Sequence, residues 1–363
     1  MGREQVDYLV RFMKNIADLD TKEKRKPQKG KFRIERGKER FEWEIATAGS
    51  TAGEQIVIRR KTGGQILSLN DIGLTSDQLE KVARTREMGH GLFIVSGPRK
   101  SGVTTTMYSL LKNHDAFINS IFTLEREVMA EVPNITQERF SFSDTGTMSF
   151  AEKLDAVFRM GPDVVGVAEC LDKETAEAIC KAANERKIVY LVLEADSVIK
   201  TMDKWIRLVG DKNKALQGLA GISNQRILRK LCSECKQAYA PNTELLRKFN
   251  LPADKAKVLY RAGKVKYDKH GKPHTCEACQ GTGFVGRTAV FEVITLDDSL
   301  RKSLMQAGSV SEIGVRLRAA KMLYLQELVL RNIIAGNTSI NEMMRVLAKP
   351  KEQKIEEAKK EQV

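Results

Sequence analysis

The segment from Gly91 to Leu111, GLFIVSGPRKSGVTTTMYSLL, constrains the fold most: it reads as a buried strand, a glycine-bearing turn and a helix start. That is the layout of a phosphate-binding loop, G-x-x-x-x-G-K-[ST]. In such a loop backbone amides wrap the β-phosphate, the lysine reaches the β- and γ-phosphates, and the hydroxyl binds Mg²⁺. Gly97, Gly102 and Thr104 fit the pattern, and Val103 stands where the lysine belongs. The amides need only the turn and the positive end of the next helix, so a nest from Ser101 to Thr105 keeps a capacity for anions. A charge-assisted hydrogen bond contributes roughly 1.5–3 kcal/mol, so the missing lysine lowers affinity about tenfold to over a hundredfold. On these residues alone, a weakened phosphate site and an ordinary strand-to-helix turn both remain open.

The chain has 363 residues, enough for two or three domains, and a net charge of +14, which suits an anionic lipid, nucleic acid or an acidic partner, or is simply a solvated basic surface. No run reaches the roughly 18–20 apolar residues of a membrane span, and Met1 to Tyr8 has no apolar signal core, so the expected compartment is the cytoplasm. Six cysteines in this length do not form a disulfide framework. Their spacing is more informative: Cys232 and Cys235 make one C-x-x-C, and Cys276 and Cys279 make a second, with 40 residues between the two. Two such knuckles can close a tetrahedral Zn²⁺ shell with no position left for water, which implies a structural metal; four free thiols or a redox pair are the alternatives. Cys170 and Cys180 lie among apolar residues and read as small core side chains.

Helical spacing of Tyr8, Leu9, Phe12, Met13 and Ile16 gives way to alternation, with a hairpin from Phe32 to Thr47 turning at Gly37 and a short strand from Gln55 to Arg60. The pattern from Thr75 to Met88 is helical, with Thr75 or Ser76 as N-cap. Strands at Leu92–Ser96, Phe122–Glu125, Asp163–Ala168 and Ile188–Leu193 alternate with helices at Ser149–Met160 and Lys173–Asn184, the signature of a mainly parallel sheet. Residues 236–275 read as a polar excursion between the knuckles. Helical stretches follow at Leu296–Met305, Ser311–Ala335 and Ile340–Leu347, then a charged low-complexity tail.

Taken together these motifs resemble the hexameric ATPases that drive type II secretion and type IV pilus assembly. The resemblance runs from Tyr8 through KRKPQKG at 24–30 and GEQIVIR at 53–59, past the phosphate loop, to the four cysteines and GTGFVGRTAVFEV at 281–293. It implies an α/β fold: a RecA-like core with a mainly parallel sheet, a truncated N-terminal α/β (PAS-like) domain, a tetracysteine zinc module and C-terminal helices. The expected boundaries are 1–72, 73–225, 226–295, 296–347 and a disordered tail at 348–363. The tetracysteine favours the secretion and pilus-extension branch over the retraction branch. The chain begins late relative to the family, without the N-terminal module that usually anchors the motor.

Departures from the family cluster at nucleotide-handling positions. An acidic motif like TIEDPVE reads TLEREVM at 123–129, keeping Glu125 but placing Arg126 and Met129 where carboxylates are expected. By resemblance Asp163 is the Walker B acid, and Glu169 orients the attacking water. Ala168 and Leu171 replace a glycine and an arginine, and Glu194 stands where a histidine would sense the γ-phosphate. Arg25, Arg59 and Arg226 match the phosphate-facing arginines, whereas Glu44 occupies another such place. Lys100 replaces a usual glycine; with Arg99 it puts two cations inside the loop, placed to bend back onto phosphates in place of the missing lysine. The nucleotide set is therefore Gly97, Lys100, Ser101, Gly102, Thr104, Thr105, Arg25, Arg59 and Arg226, with Glu169, Glu125 and Asp163 as candidate catalytic residues. Arg126 and Glu194 are also placed to pair with each other across an empty site.

The leading expectation is a zinc-stabilised pseudo-ATPase subunit of a type II secretion or type IV pilus-like machine, with ATP and Mg²⁺ weakly held or absent. It would sit in a homo- or hetero-hexamer with related ATPase subunits, at an inner-membrane platform protein on the cytoplasmic side, where Arg25 and Arg59 serve a neighbour's nucleotide. A weakly active ATPase, with Glu169 as base and Thr104 on Mg²⁺, is the second expectation. A zinc-containing nucleic-acid binder is the third, disfavoured by few aromatics and no basic groove-reading helix. His90 and His114 are scattered, His270 and His274 flank the second knuckle closely enough to compete as ligands, and Met343 and Met344 read as helix packing.

Overall fold

The computed structural model describes residues 3–36, 39–51, 53–61, 66–141, 146, 148–263, 266–267 and 273–347. The turn at Gly37, His270 and the 348–363 tail lie outside the described residues. Two compact units divide the chain, one comprising Met1–Ile66 with Met129–Glu131 and the other Leu67–Val128 with Val132–Val363.

In the smaller unit, helix α1 (Arg3–Ile16) precedes an antiparallel meander of β1 (Gln28–Arg36), β2 (Glu39–Ser50) and β3 (Gly53–Lys61). The register sets Phe32 opposite Trp43 and Gly30 opposite Ile45, so alternate residues share the face that packs Phe32 and Ile45 with Ala17. Phe32 and Trp43 stack at 6.2 Å. Lys14 is fully buried yet satisfied: its Nζ donates to the Glu23 carbonyl at 2.6 Å and pairs with Glu54.

The larger unit is built on a seven-stranded sheet whose order is β14-β9-β4-β8-β7-β5-β6. Besides β9, five strands run parallel: β4 (Gly91–Gly97), β5 (Ile121–Glu125), β6 (Thr136–Arg139), β7 (Val164–Val167) and β8 (Ile188–Glu194). Strands β4 and β7 are buried at every residue, as a parallel sheet with both faces covered requires. The long strand β9 (Leu219–Leu231) runs parallel to β4 and antiparallel to β14 (Phe284–Thr295), and so joins the parallel core to an outer ribbon.

The helices cap as their sequences dictate. α2 (Ser76–Glu87) opens on Thr75 in a capping box with Gln78; α3 (Val103–Lys112) follows the loop; and α4 (Phe150–Arg159) opens on a Ser149–Glu152 box. α5 (Lys173–Asn184) and α6 (Val198–Val209) pack the main core, where Trp205 is fully buried and its indole N–H donates to the Ala215 carbonyl within α7 (Lys212–Gln217).

The excursion between the knuckles is not shapeless. β10 (Gln237–Tyr239) pairs with β11 (Leu259–Arg261) around α8 (Thr243–Lys248), and β12 (Lys266–Tyr267) pairs with β13 (Pro273–His274). After β14 come α9 (Asp298–Met305), α10 (Val310–Ala319), α11 (Leu325–Ile334) and α12 (Ile340–Leu347). The single helix expected across 311–335 is thus two. Lys321 adopts the left-handed region at φ 60°, and Glu327 accepts the Tyr324 amide at 2.9 Å to start the second helix. Among the described residues no helix is long and apolar enough to cross a membrane.

Candidate functional site: the loop after β4 and the tetracysteine cluster

The loop closes where it was expected, between the C-terminal end of β4 and the start of α3. A Cβ on Gly97 would collide with the Ser101 hydroxyl and lie 2.9 Å from the Gln225 carbonyl, so only glycine allows this turn. Gly102 is the N-cap of α3 at φ 85°. Lys100 also takes a left-handed conformation, at φ 65°, in a place where a glycine would sit without strain. Gln225, buried on β9, donates its amide to the Ser101 carbonyl at 2.8 Å and ties the loop to the sheet. Val103, at the lysine's position, begins α3 and lines a cavity of about 340 Å³ together with Gly97, Glu169 and Glu194. Thr104 and Thr105 follow on the first turn of the helix.

Both acids on this cavity are ion-paired. Arg126 donates from Nε to Glu169 at 2.5 Å, and its guanidinium lies 5.3 Å from the centre of the Phe140 ring. Arg99 donates to Glu194 at 3.2 Å. The pairing expected between Arg126 and Glu194 is therefore replaced by two separate pairs, because Glu169 follows β7 on the Arg126 side and Glu194 ends β8 next to the loop.

Glu125 is buried at the end of β5 rather than presented to a ligand. It accepts from the Tyr108 hydroxyl at 2.6 Å, from Thr123 Oγ1 at 2.7 Å and from Gln137 at 3.3 Å. Asp163 requires a correction, since it precedes β7 and accepts the Ser120 amide at 2.8 Å. Through Ile188 the register aligns Val164 with Gly91, the first residue of β4, whereas the loop follows Gly97 at the other end. About 20 Å of strand therefore separates Asp163 from the loop end, and it cannot serve there as a metal-binding acid.

Arg226 is largely buried, donating to the Asn224 side chain at 3.0 Å and to the Asp196 carbonyl at 2.8 Å; burial lowers its pKa and Asp196 opposes that. It reaches the same loop from β9. Arg25 is exposed in the smaller unit, where its carbonyl accepts the Gly49 amide at 3.1 Å. Arg59 lies directly across the ladder from Glu44, and its side chain is outside the described residues.

The pairing of β9 with β14 also assembles the cysteines. Leu231 sits opposite Phe284, so Cys232 just after one strand and Cys279 just before the other are brought together. The four sulfurs lie within 4.8 Å of one another, with Cys232–Cys276 at 3.9 Å and Cys235–Cys279 at 3.6 Å. A tetrahedral ion with bonds of about 2.3 Å places sulfurs about 3.8 Å apart, so these residues fit a metal. Burial opposes ionisation of Cys279, but the Gly283 amide and neighbouring thiols reverse it and bring its pKa to about 7. Burial and the same neighbours push Cys235 up to about 12. His274 is in β13 with its side chain outside the described residues. His114 is buried with Nε2 2.8 Å from the Tyr190 hydroxyl, and burial, then Arg86, lower its pKa to about 4. Cys170 is in the core, where burial raises its thiol to about 12.

Arg229, Arg287 and Arg345 were not singled out from the sequence, although all three line a cavity with Arg226 and Lys100. The spacing of Arg226 and Arg229 on one strand was visible; the arrival of Arg345 from the last helix was not.

Comparison with known proteins accords with this architecture. A model of the type II/IV secretion system protein family matches residues 3–345. The chain is 29% identical over 346 residues to the type II secretion system protein E of Dickeya dadantii, covering 95% of this chain and 66% of that one. It is 28% identical to the type IV pilus assembly ATPase PilB of Thermus thermophilus, covering 93% of this chain and 37% of that one. The chain thus spans just under two thirds of the first of these relatives and far less of the second. Among solved structures, the ATPase DotB of Legionella pneumophila aligns with a TM-score of 0.59 at 16% identity, covering 87% of this chain and 76% of that one. The pilus retraction motor PilT aligns at 0.57 and 20% identity, covering 90% and 79%. These two establish the RecA-like fold. By the match across its length, the chain belongs to the type II/IV secretion system protein family.

Proposed function

We propose that this protein is a structural or regulatory subunit of a type II secretion or type IV pilus-like machine, with a nucleotide site that does not turn over. One observation carries the reading: both acids beside the loop, Glu169 and Glu194, are neutralised by arginines of the same chain. The Glu169 oxygen that would orient an attacking water is already occupied by the Arg126 guanidinium at 2.5 Å. Val103 in place of the lysine acts in the same direction. The test is sustained phosphate release at saturating MgATP, compared with Glu169→Gln. We expect the two to be equal at background. Turnover that Glu169→Gln abolishes would establish instead a weak ATPase with Glu169 as base, a reading favoured by Glu169 sharing the cavity with Gly97 and Val103.

The same reading places zinc in the cluster of Cys232, Cys235, Cys276 and Cys279, closing a ring of four sulfurs with no site for substrate. It also places the subunit in a hexamer with related ATPase subunits on the cytoplasmic face of an inner-membrane platform protein, where Arg25 and Arg59 serve a neighbour's nucleotide. Arg59→Ala should then lower the activity of a reconstituted mixed ring; unchanged activity would count against that role.

A further inference from the structure

The edge of the parallel sheet opposite the loop carries a different kind of surface. Strands β4, β8, β7 and β5 start side by side there, with Gly91, Ile188, Val164 and Ile121 in register. Neighbouring strands lie about 4.8 Å apart, so the four starts span about 14 Å. A trough of about 330 Å³ crosses them, and Arg86, His114, Ile118, Asp163 and Arg186 contribute to its lining. Its base is fixed by hydrogen bonds: His114 Nε2 lies 2.8 Å from the Tyr190 hydroxyl, and Lys187 donates to the Pro162 carbonyl at 3.2 Å. The turn after α3 is equally well tied. Asp115 accepts the Phe117 amide at 2.9 Å, and the Asn119 amide and side chain both donate to the Asp115 carbonyl, at 3.0 and 2.8 Å. That turn holds Phe117 91% exposed and Ile118 79% exposed. Met88 and Met160, also exposed, shortly precede β4 and β7 at the same edge.

We propose that this edge docks a protein partner through a short segment whose apolar side chains pack on Phe117, Ile118, Met88 and Met160 and whose carboxylates pair with Arg86 and Arg186. Single exposed apolar residues are ordinary, but four at one edge, two of them adjacent and almost wholly in water, form a patch of the kind that partners cover. The charges select the partner. Arg86 and Arg186 make no ion pair among the described residues, and Arg86 spends only one N–H, on the Asn113 carbonyl at the end of α3. The acids of the trough are already engaged, Asp115 by the Phe117 amide and Asp163 by the Ser120 amide. At contact range, therefore, the open hydrogen-bonding capacity belongs to guanidinium groups, which suit carboxylates. At longer range two arginines and two aspartates cancel, so no net field draws this edge to an anionic bilayer. A concave trough beside a projecting turn also matches a shaped protein segment better than a flat membrane. The inference goes beyond the function proposed above, since neither nucleotide nor metal enters it.

The test is methyl NMR of the full chain labelled at its methionine and isoleucine methyls, so that Met88, Met160 and Ile118 report from the patch itself. The probes are three acetylated, amidated octapeptides: LEELFEEL, its basic counterpart LKKLFKKL and the polar SEESSEES. We expect LEELFEEL to shift the three patch methyls saturably, with a dissociation constant below about 1 mM, and the other two to leave them in place. Phe117→Ser and Arg186→Gly should each weaken that binding about threefold to tenfold. Phe117 is exposed and glycine suits the φ of 62° at position 186, so both variants should fold, and unchanged thermal midpoints would verify it. Absence of a saturable shift at these methyls, equal binding of LKKLFKKL or SEESSEES, or undiminished binding by both variants would overturn the proposal. Two further measurements decide between occupants. Flotation with phosphatidylglycerol vesicles that Phe117→Ser abolishes would make this a lipid-facing edge, and a dimer in sedimentation that the same substitution abolishes would make the occupant a second copy; either result would overturn the proposal.

Discussion

Glu342 shows how much one carboxylate can organise. Buried on α12, it accepts from the Arg229 amide at 2.9 Å, from the Arg229 guanidinium at 2.7 Å and from Arg345 at 2.5 Å. Burial alone would raise its pKa; the hydrogen bonds from Arg345 and Arg229 overturn that and hold it at about 2. With the folded-state value depressed below the unfolded one, its contribution is present above about pH 4.5 and is lost as pH falls through about 2. The shift corresponds to about 3 kcal/mol. Glu342→Gln should therefore destabilise the protein at neutral pH, with the gap to wild type narrowing steadily below pH 4.5 in denaturation measured across pH. The pair of Arg126 and Glu169 is partly exposed and worth less. A double-mutant cycle should give a coupling of about 0.5–1 kcal/mol for that pair and none for Arg126 with Glu194.

At the level of elements, Glu292 on β14 joins two helices to the sheet. Its carboxylate accepts the Val198 amide at the start of α6 at 2.9 Å and the Leu325 amide at the start of α11 at 3.0 Å. Burial raises its pKa against the pull of those two amides and of Arg226. Removing the acceptor strands two buried donors, so Glu292→Ala should cost about 2–4 kcal/mol, read as a lower denaturant midpoint at unchanged slope. Glu292→Gln keeps one oxygen and should cost less. Substituting alanine for Trp205, fully buried on α6 and hydrogen-bonded to α7, should cost about 3–5 kcal/mol in denaturant unfolding.

For the whole molecule, the tetracysteine cluster ties down the outer end of the β9–β14 ribbon and the excursion it carries. Chelation should lower the thermal midpoint and release one equivalent of zinc per chain, measured by metal analysis; serine at Cys232 and Cys279 together should mimic it. The parallel core was legible in the sequence because continuous apolar runs such as LFIV at 92–95 and VVGV at 164–167 suit strands buried on both faces. The knuckles were legible from spacing alone. The strand end on which Asp163 falls was not, since a motif fixes a residue's place along the chain but the register decides which edge of the sheet it occupies. The break at Lys321 escaped notice because the amphipathic pattern continues across it. The arginine-lined cavity was hidden for a third reason: its members come from a loop, two antiparallel strands and the final helix, and only tertiary structure brings them together.

The ribbon itself has a mechanical consequence. Arg226 and Cys232 are six positions apart on one continuous segment, and Arg287 and Cys279 are eight apart on its antiparallel neighbour, so each end of the ladder feels fraying at the other. Backbone amides between Ile227 and Leu231 should exchange their hydrogens slowly while both ends are pinned. Unpinning either end should let solvent deuterium advance along the ladder toward the other, linking the two sites through the zipper of hydrogen bonds between them.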